Sequence, residues 1–162
     1  MLGNRLEQLQ ENIERLRAQV NGKEITLTTI APEERVRIKQ QIVDLRAEIK
    51  PFEEEYWRIL ERRAHAIEYL GDEAKLVVSE LIAGESRSEE YLYYPPEILE
   101  LLHKIYGKAS EVGESSSSKL KGVISLIPPF INLAYEAEID TEYFFSRHFP
   151  TFREWAHSLS KK

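Results

Sequence analysis

A glutamate three residues ahead of a histidine occurs twice in the chain, at Glu100/His103 and Glu154/His157. On a helix this spacing sets a carboxylate and an imidazole on one face. Bundles that hold a di-iron or di-manganese centre use two such pairs plus two further glutamates. Each pair here also has a plainer reading. Glu100 precedes Lys104 by one helical turn, the spacing of an ion pair, and Glu100 and His103 lie off the apolar face of their segment. Thr151 and Glu154 have the spacing of a capping box, which explains Glu154 as a helix-start residue. Glu61, His65 and Glu68 share a third face that could bind one metal ion or act as an acid–base pair. A solvated charged face accounts for them more simply. His148, between Arg147 and Phe149, reads as a packed or surface histidine rather than a catalyst.

Other chemistries lack their residues. The absence of cysteine removes disulfides, thiol nucleophiles and thiolate metal sites. No serine stands in a Gly-x-Ser-x-Gly elbow, and there is neither a Walker lysine loop nor a Gly-x-Gly-x-x-Gly. No catalytic residue, metal ligand or cofactor is assigned, and the chain reads as non-enzymatic. The alternatives are a metal-binding helical protein or enzyme using the Glu/His pairs, and a regulatory domain holding a small ligand between Trp57, the tyrosines and the tail. What the sequence offers instead is contact surface. Tyr91, Tyr93 and Tyr94 cluster just before Pro95 and Pro96, and tyrosine is enriched at interface centres. Ile131, Leu133 and Tyr135 form a second candidate surface, as residues of an edge strand that could pair with another chain.

The elements that would carry these surfaces are mainly helical. Leu6, Leu9, Ile13, Leu16 and Val20 recur in steps of three and four, as do Ile38, Ile42, Leu45, Ile49, Phe52, Tyr56 and Ile59. Both series are heptad seams. Asn21 and Gly22 predict the end of the first helix, and the β-branched connector from Lys23 weakens a continuation to Leu27. Pro32 suits the first turn of the second helix. The two read as an antiparallel coiled-coil hairpin. The second helix, over residues 32–70, would be about 57 Å long against about 25–35 Å for the first. Past Pro51 its apolar face widens to include Trp57, Leu60, Ala64 and Ile67, the mark of a helix entering a globular core. The expected domains are therefore a hairpin over residues 1–51 and a mainly helical unit over residues 52–162 that shares the long second helix.

In that second unit Gly71 and Asp72 separate two helices, the later one burying Leu76, Val77 and Leu81 or Ile82 up to Gly84. Pro95 and Pro96 open a helix whose apolar face is Ile98, Leu101, Leu102 and Ile105, ending at Gly107 or Gly113. Residues 114–119 read as a short mobile linker. Beyond it, Ile131, Leu133, Tyr135, Ala137 and Ile139 alternate with Asn132, Ala134, Glu136 and Glu138. A period of two favours a strand, with residues 123–127 as a second one before Pro128 and Pro129. A helix starting at the prolines stays open, because Ala and Glu are good helix formers. Asp140 caps a short helix, and a last helix carries Phe152, Trp155 and Leu159. The expected fold class is mainly α, with one or two β-strands near the C-terminus.

Composition limits the partners. A chain of 162 residues with 42% apolar residues can bury a real core, and a net charge of −6 without a basic block argues against a nucleic-acid surface. No apolar run reaches the roughly 20 residues of a membrane span. The charged, amphipathic start is unlike a secretory signal, so a soluble, cytoplasmic protein is expected. Its expected partner is another protein, or a second copy of itself in a homo-oligomer, with no nucleic acid and no membrane.

Two stretches carry a resemblance. The hairpin wording LEQLQENIERL, followed by APEERVRIKQQIVDLRAEI, resembles the short effector-associated helical-hairpin adaptor modules of bacterial, chiefly cyanobacterial, conflict and signalling proteins. Those modules stand beside caspase-like, TIR or STAND NTPase domains. The tail KGVISLIPPFINLAYEAEIDTEYFFSRHFPTF resembles a stretch found in the same setting. The resemblance implies a non-enzymatic adaptor that brings an effector to a sensor by homotypic or coiled-coil contact, here as a stand-alone or excised module. It transfers no catalytic or ligand-binding residue.

Overall fold

Seams with heptad spacing bury their apolar residues only when a partner helix lies along them. In the computed structural model, which describes residues 2–66, 71–85 and 93–161, the first two helices do this. They are α1 (Leu2–Leu27) and α2 (Pro32–Ala66). The chain divides into two compact units, Met1–Tyr56 and Trp57–Lys162, and α2 contributes to both.

In the first unit Leu6, Leu9, Ile13, Leu16 and Val20 of α1 are buried, as are Ile38, Ile42, Leu45 and Ile49 of α2. Polar pairs tie the two helices together in antiparallel register. Arg5 donates to both carboxylate oxygens of Glu55 at 2.7 and 2.6 Å, Lys23 donates to Gln41 at 2.8 Å, and Arg46 meets Glu24 at 3.0 Å. The Glu55 hydrogen bonds hold the Arg5 pKa above its ordinary value. One pair is of another kind. Glu53 is only 3% exposed and faces Arg17 at 3.1 Å, an ion pair whose acidic half is shut off from water.

α1 does not stop at Asn21–Gly22 as its sequence predicts, but runs on to Leu27. A helical glycine costs up to about 1 kcal/mol relative to alanine. The bonds of Lys23 and Glu24 to α2 offset that cost, and Thr26 donates its hydroxyl to the Gly22 carbonyl at 3.0 Å. The chain then reverses over residues 28–31 through short-range backbone bonds such as Thr29 N–H to the Thr26 carbonyl at 3.1 Å. Pro51 lies inside α2 with its ring exposed, and the helix continues beyond it.

The second unit adds α3 (Gly71–Glu85), α4 (Pro96–Ala109), α5 (Ser116–Ser125), α6 (Ile127–Glu136), α7 (Thr141–His148) and α8 (Pro150–Ser160). Helix α3 packs against α4, α5 and α8, while α7 packs against α6 and α8. Aromatic rings fill the centre. Phe144 has its ring centroid 4.9 Å from Phe130 and 5.8 Å from Phe145, and Trp57 stacks on Phe152 at 6.0 Å with planes 5° apart.

Residues 123–139 hold no strand, contrary to the period-two reading. They form α5, α6 and the turn after them, and all elements among the described residues are helices. The reason is visible in burial. Ile127, Phe130, Ile131 and Ala134 are buried, a helical face, whereas Leu133 and Tyr135 are only half-buried. Pro128 and Pro129 fall in the first turn of α6, where a missing N–H costs nothing. The serine run before it is not a loose linker either. Ser115 caps α5, its hydroxyl accepting from the Ser118 N–H at 3.1 Å, and α5 buries Leu120, Val123 and Ile124.

Helix α3 also departs from expectation. Ala74, Val77, Val78 and Leu81 are buried, but Leu76 is 65% exposed. Gly84 stays at the buried side because a Cβ there would come within 3.0 Å of the Phe149 ring and 3.2 Å of the Tyr106 ring. Helix α4 buries the expected Ile98, Leu101, Leu102 and Ile105, and passes Gly107 to end at Ala109. Asp140 caps α7 as expected, accepting from the Tyr143 N–H at 3.1 Å.

The last helix is held in an unexpected way. Helix α8 starts at Pro150, so Thr151 lies inside it and cannot head a capping box with Glu154. Its N-terminus is instead met by Glu80 of α3, whose two oxygens accept from Thr151 N–H at 3.1 Å and Phe152 N–H at 3.0 Å. At the other end Arg63 of α2 donates to the Leu159 carbonyl at 2.7 Å. An anionic cap at a helix N-terminus and a cation at its C-terminus each oppose the end charge of the helix dipole. Glu80→Ala is expected to cost about 1–2 kcal/mol, the usual cost of losing a cap, read from the urea midpoint at unchanged slope.

Candidate interaction surface

Pro95, which precedes the first residue of α4, has extended backbone angles, and the two tyrosines before it take opposite roles. Tyr94 turns inward. Its ring meets Phe144 edge-on at 5.7 Å and His148 at 6.4 Å, and its hydroxyl lies 3.4 Å from His148 Nε2. Tyr93 turns outward and is 97% exposed. Tyr94 thus anchors the segment to α7, and the anchored backbone presents Tyr93 to solvent. Tyr143, the residue before Phe144, is also exposed, as is Arg147 one turn on along the same face of α7.

The other candidate contact residues are placed differently. Ile131 is fully buried in the core of its unit, while Leu133 and Tyr135 are half-buried on α6. Tyr91 lies outside the described residues. Tyr143 was not among the candidates read from the sequence. Its signal was there: with Phe144, Phe145 and His148 facing inward, the helical period leaves Tyr143 outside.

The Glu/His pairs behave as charged surface or as packing. Glu100 is largely exposed and pairs with Lys104 at 3.7 Å. Glu154 and His103 are exposed, and His65 shares a hydrogen bond of 3.0 Å with the Ser125 hydroxyl. Glu68 falls outside the described residues. Among those described, no three or more His, Asp or Glu side chains gather as a metal site. His148 is 2% exposed in a nest of rings, with Phe144 4.8 Å away.

Trp57, which the ligand-binding alternative would set beside a small ligand, is 5% exposed and packed against Phe145 and Phe152. A gap of about 10 Å3 within the core is lined by Leu81, Ile105, Phe130 and Phe144 among other apolar side chains. That is the volume one water needs, and no polar partner is there to hold it. No described helix is long and apolar enough to cross a membrane. Compared with family models, curated proteins and solved structures, the chain finds no match.

Proposed function

We propose that the chain is a non-enzymatic protein-interaction module, an adaptor that links partners in a bacterial signalling or defence system. One observation carries the reading. A tyrosine 97% exposed, on a segment anchored by the ring contacts of its neighbour Tyr94, is well suited to a partner's pocket. Tyr143 and Arg147, exposed on the helix against which Tyr94 packs, add two more residues of types common at binding hot spots. The bacterial setting rests on the resemblance of the hairpin and tail wording to effector-associated modules.

The test uses proteins encoded beside this one as candidate partners, titrated calorimetrically against the whole chain. Tyr93→Ala is expected to leave folding stability within about 0.5 kcal/mol of the parent. It should weaken partner binding by about 2 kcal/mol or more, the threshold of a hot spot. Binding unaltered in Tyr93→Ala, or no binding by any neighbour-encoded protein, would sink the reading. Light scattering from micromolar to millimolar concentration decides separately whether the partner is a second copy.

A further inference from the structure

We infer that the joint between α7 and α8 is a guarded hinge, at which Pro150 and Glu80 keep the last helix folded back on its own chain and prevent its exchange with a second copy. The two helices are almost one. The backbone ladder of α7 runs up to Phe149, whose N–H donates to the Phe145 carbonyl at 2.9 Å. That of α8 begins with Arg153 N–H on the Phe149 carbonyl at 3.0 Å, so residues 150–152 alone interrupt it. At the break Phe149 has φ −137° and ψ 58°. Bringing it to helical angles of about −63° and −42° would join residues 141–160 into a single rod. That rod would carry Phe152, Trp155, Ala156 and Leu159 out of the core. The same groove in a second copy, opened in the same way, would bury them again, which is how copies of a chain swap an element.

A swap repeats the packing of α8, so the joint decides between the two forms. Inside a continuous helix Pro150 would have no N–H for the Ser146 carbonyl, its ring would clash there, and it would disfavour helical angles at Phe149. Its side chain is exposed, so packing does not account for it. Glu80 acts from the other side of the joint. It accepts from Thr151 N–H at 3.1 Å and Phe152 N–H at 3.0 Å, two donors that a continuous helix would turn to the Arg147 and His148 carbonyls. The cap therefore forms only while the joint is bent. The Phe149 ring, seated against Tyr106 and Phe144, resists the same turn. Arg63 gives the contrast: its bond to the Leu159 carbonyl lies at the far end of α8 and is the same in both forms. The hinge does not involve the Tyr93 surface, so either can fail without the other.

The test refolds the whole chain and its variants from urea at micromolar and at millimolar concentration. All are then diluted alike and sized by gel filtration with light scattering. Pro150→Ala combined with Glu80→Ala is expected to give a dimer that survives dilution, its fraction about tenfold or more above that of the parent. Pro150→Ala alone should fall between the two. Arg63→Ala, which loosens α8 without touching the joint, should match the parent, as should Tyr93→Ala. The parent's distribution in both Pro150 variants would overturn the inference. So would a dimer that falls apart at once on dilution, since that is surface association rather than exchange. An equal rise in Arg63→Ala would overturn it too, because loose docking of α8 would then suffice. If the double variant does not fold, Pro150→Ala alone decides, against the same parent.

Discussion

Replacing Arg17 by methionine is expected to destabilise the hairpin by about 3 kcal/mol, because it removes an ion-pair partner from the Glu53 carboxylate in a place that water hardly reaches. The side chain of Glu53 is 4% exposed and that of Arg17 is 27% exposed. Breaking a buried pair costs about 3–5 kcal/mol, and partial access of water on the arginine side sets the lower end. The converse change, Glu53→Leu, should cost far less, since Arg17 can turn toward solvent. Changing both, Arg17→Met with Glu53→Leu, should recover the parent stability or exceed it, because a packed apolar pair has no desolvation to overcome. Hydrogen exchange of the α1 amides reads the hairpin by itself. If the double variant is no more stable than Arg17→Met, the loss of an ion pair at a desolvated carboxylate is not the cause. By contrast the Arg5–Glu55 pair, with both side chains 40% exposed, is open to solvent screening and its loss should matter little.

The second large effect belongs to the aromatic core. Phe144→Ala removes a side chain 1% exposed that touches rings from three sides: Phe130 of α6, Phe149 before α8, and Tyr94 before α4. Phenylalanine-to-alanine changes in cores cost about 3–5 kcal/mol, from lost transfer energy plus the cavity left behind. For a chain of this size that corresponds to a fall in Tm of about 6–20 °C. Tyr94 would lose part of its anchor as well, so near-ultraviolet circular dichroism should weaken before the helices melt. Phe144→Leu, which keeps most of the volume, should retain much of the stability. A Tm within about 2 °C of the parent in Phe144→Ala would mean that neighbouring rings collapse to fill the gap.

The hairpin was legible because its signal is redundant: nine buried seam residues on two helices repeat one spacing. Single-residue signals did worse where a distant partner overruled them. Gly22 announces a stop, but bonds from Lys23 and Glu24 to α2 lie beyond any local pattern. The alternation after Phe130 resembles a strand because Leu133 and Tyr135 happen to be large. It is Ile127, Phe130, Ile131 and Ala134 that are buried, and only the helical period groups them. Thr151 and Glu154 have the right spacing for a cap, but the actual acceptor, Glu80, lies 71 residues upstream of the N–H it receives. For the candidate surface, the tyrosine cluster named the right segment. Which ring turns in and which turns out depends on α7, and that no local rule supplies.

The two charged ends of α8 settle a question that its apolar residues leave open. Phe152, Trp155, Ala156 and Leu159 make a stripe that reads almost as well from either end, so burial alone would accept the helix pointing either way along the core. Glu80 and Arg63 would not. Turned end for end, the helix would offer carbonyl oxygens to a carboxylate and N–H groups to a guanidinium, repulsive at both sites. The clamps therefore encode direction, and of the two ways a greasy rod can lie in its groove they admit one.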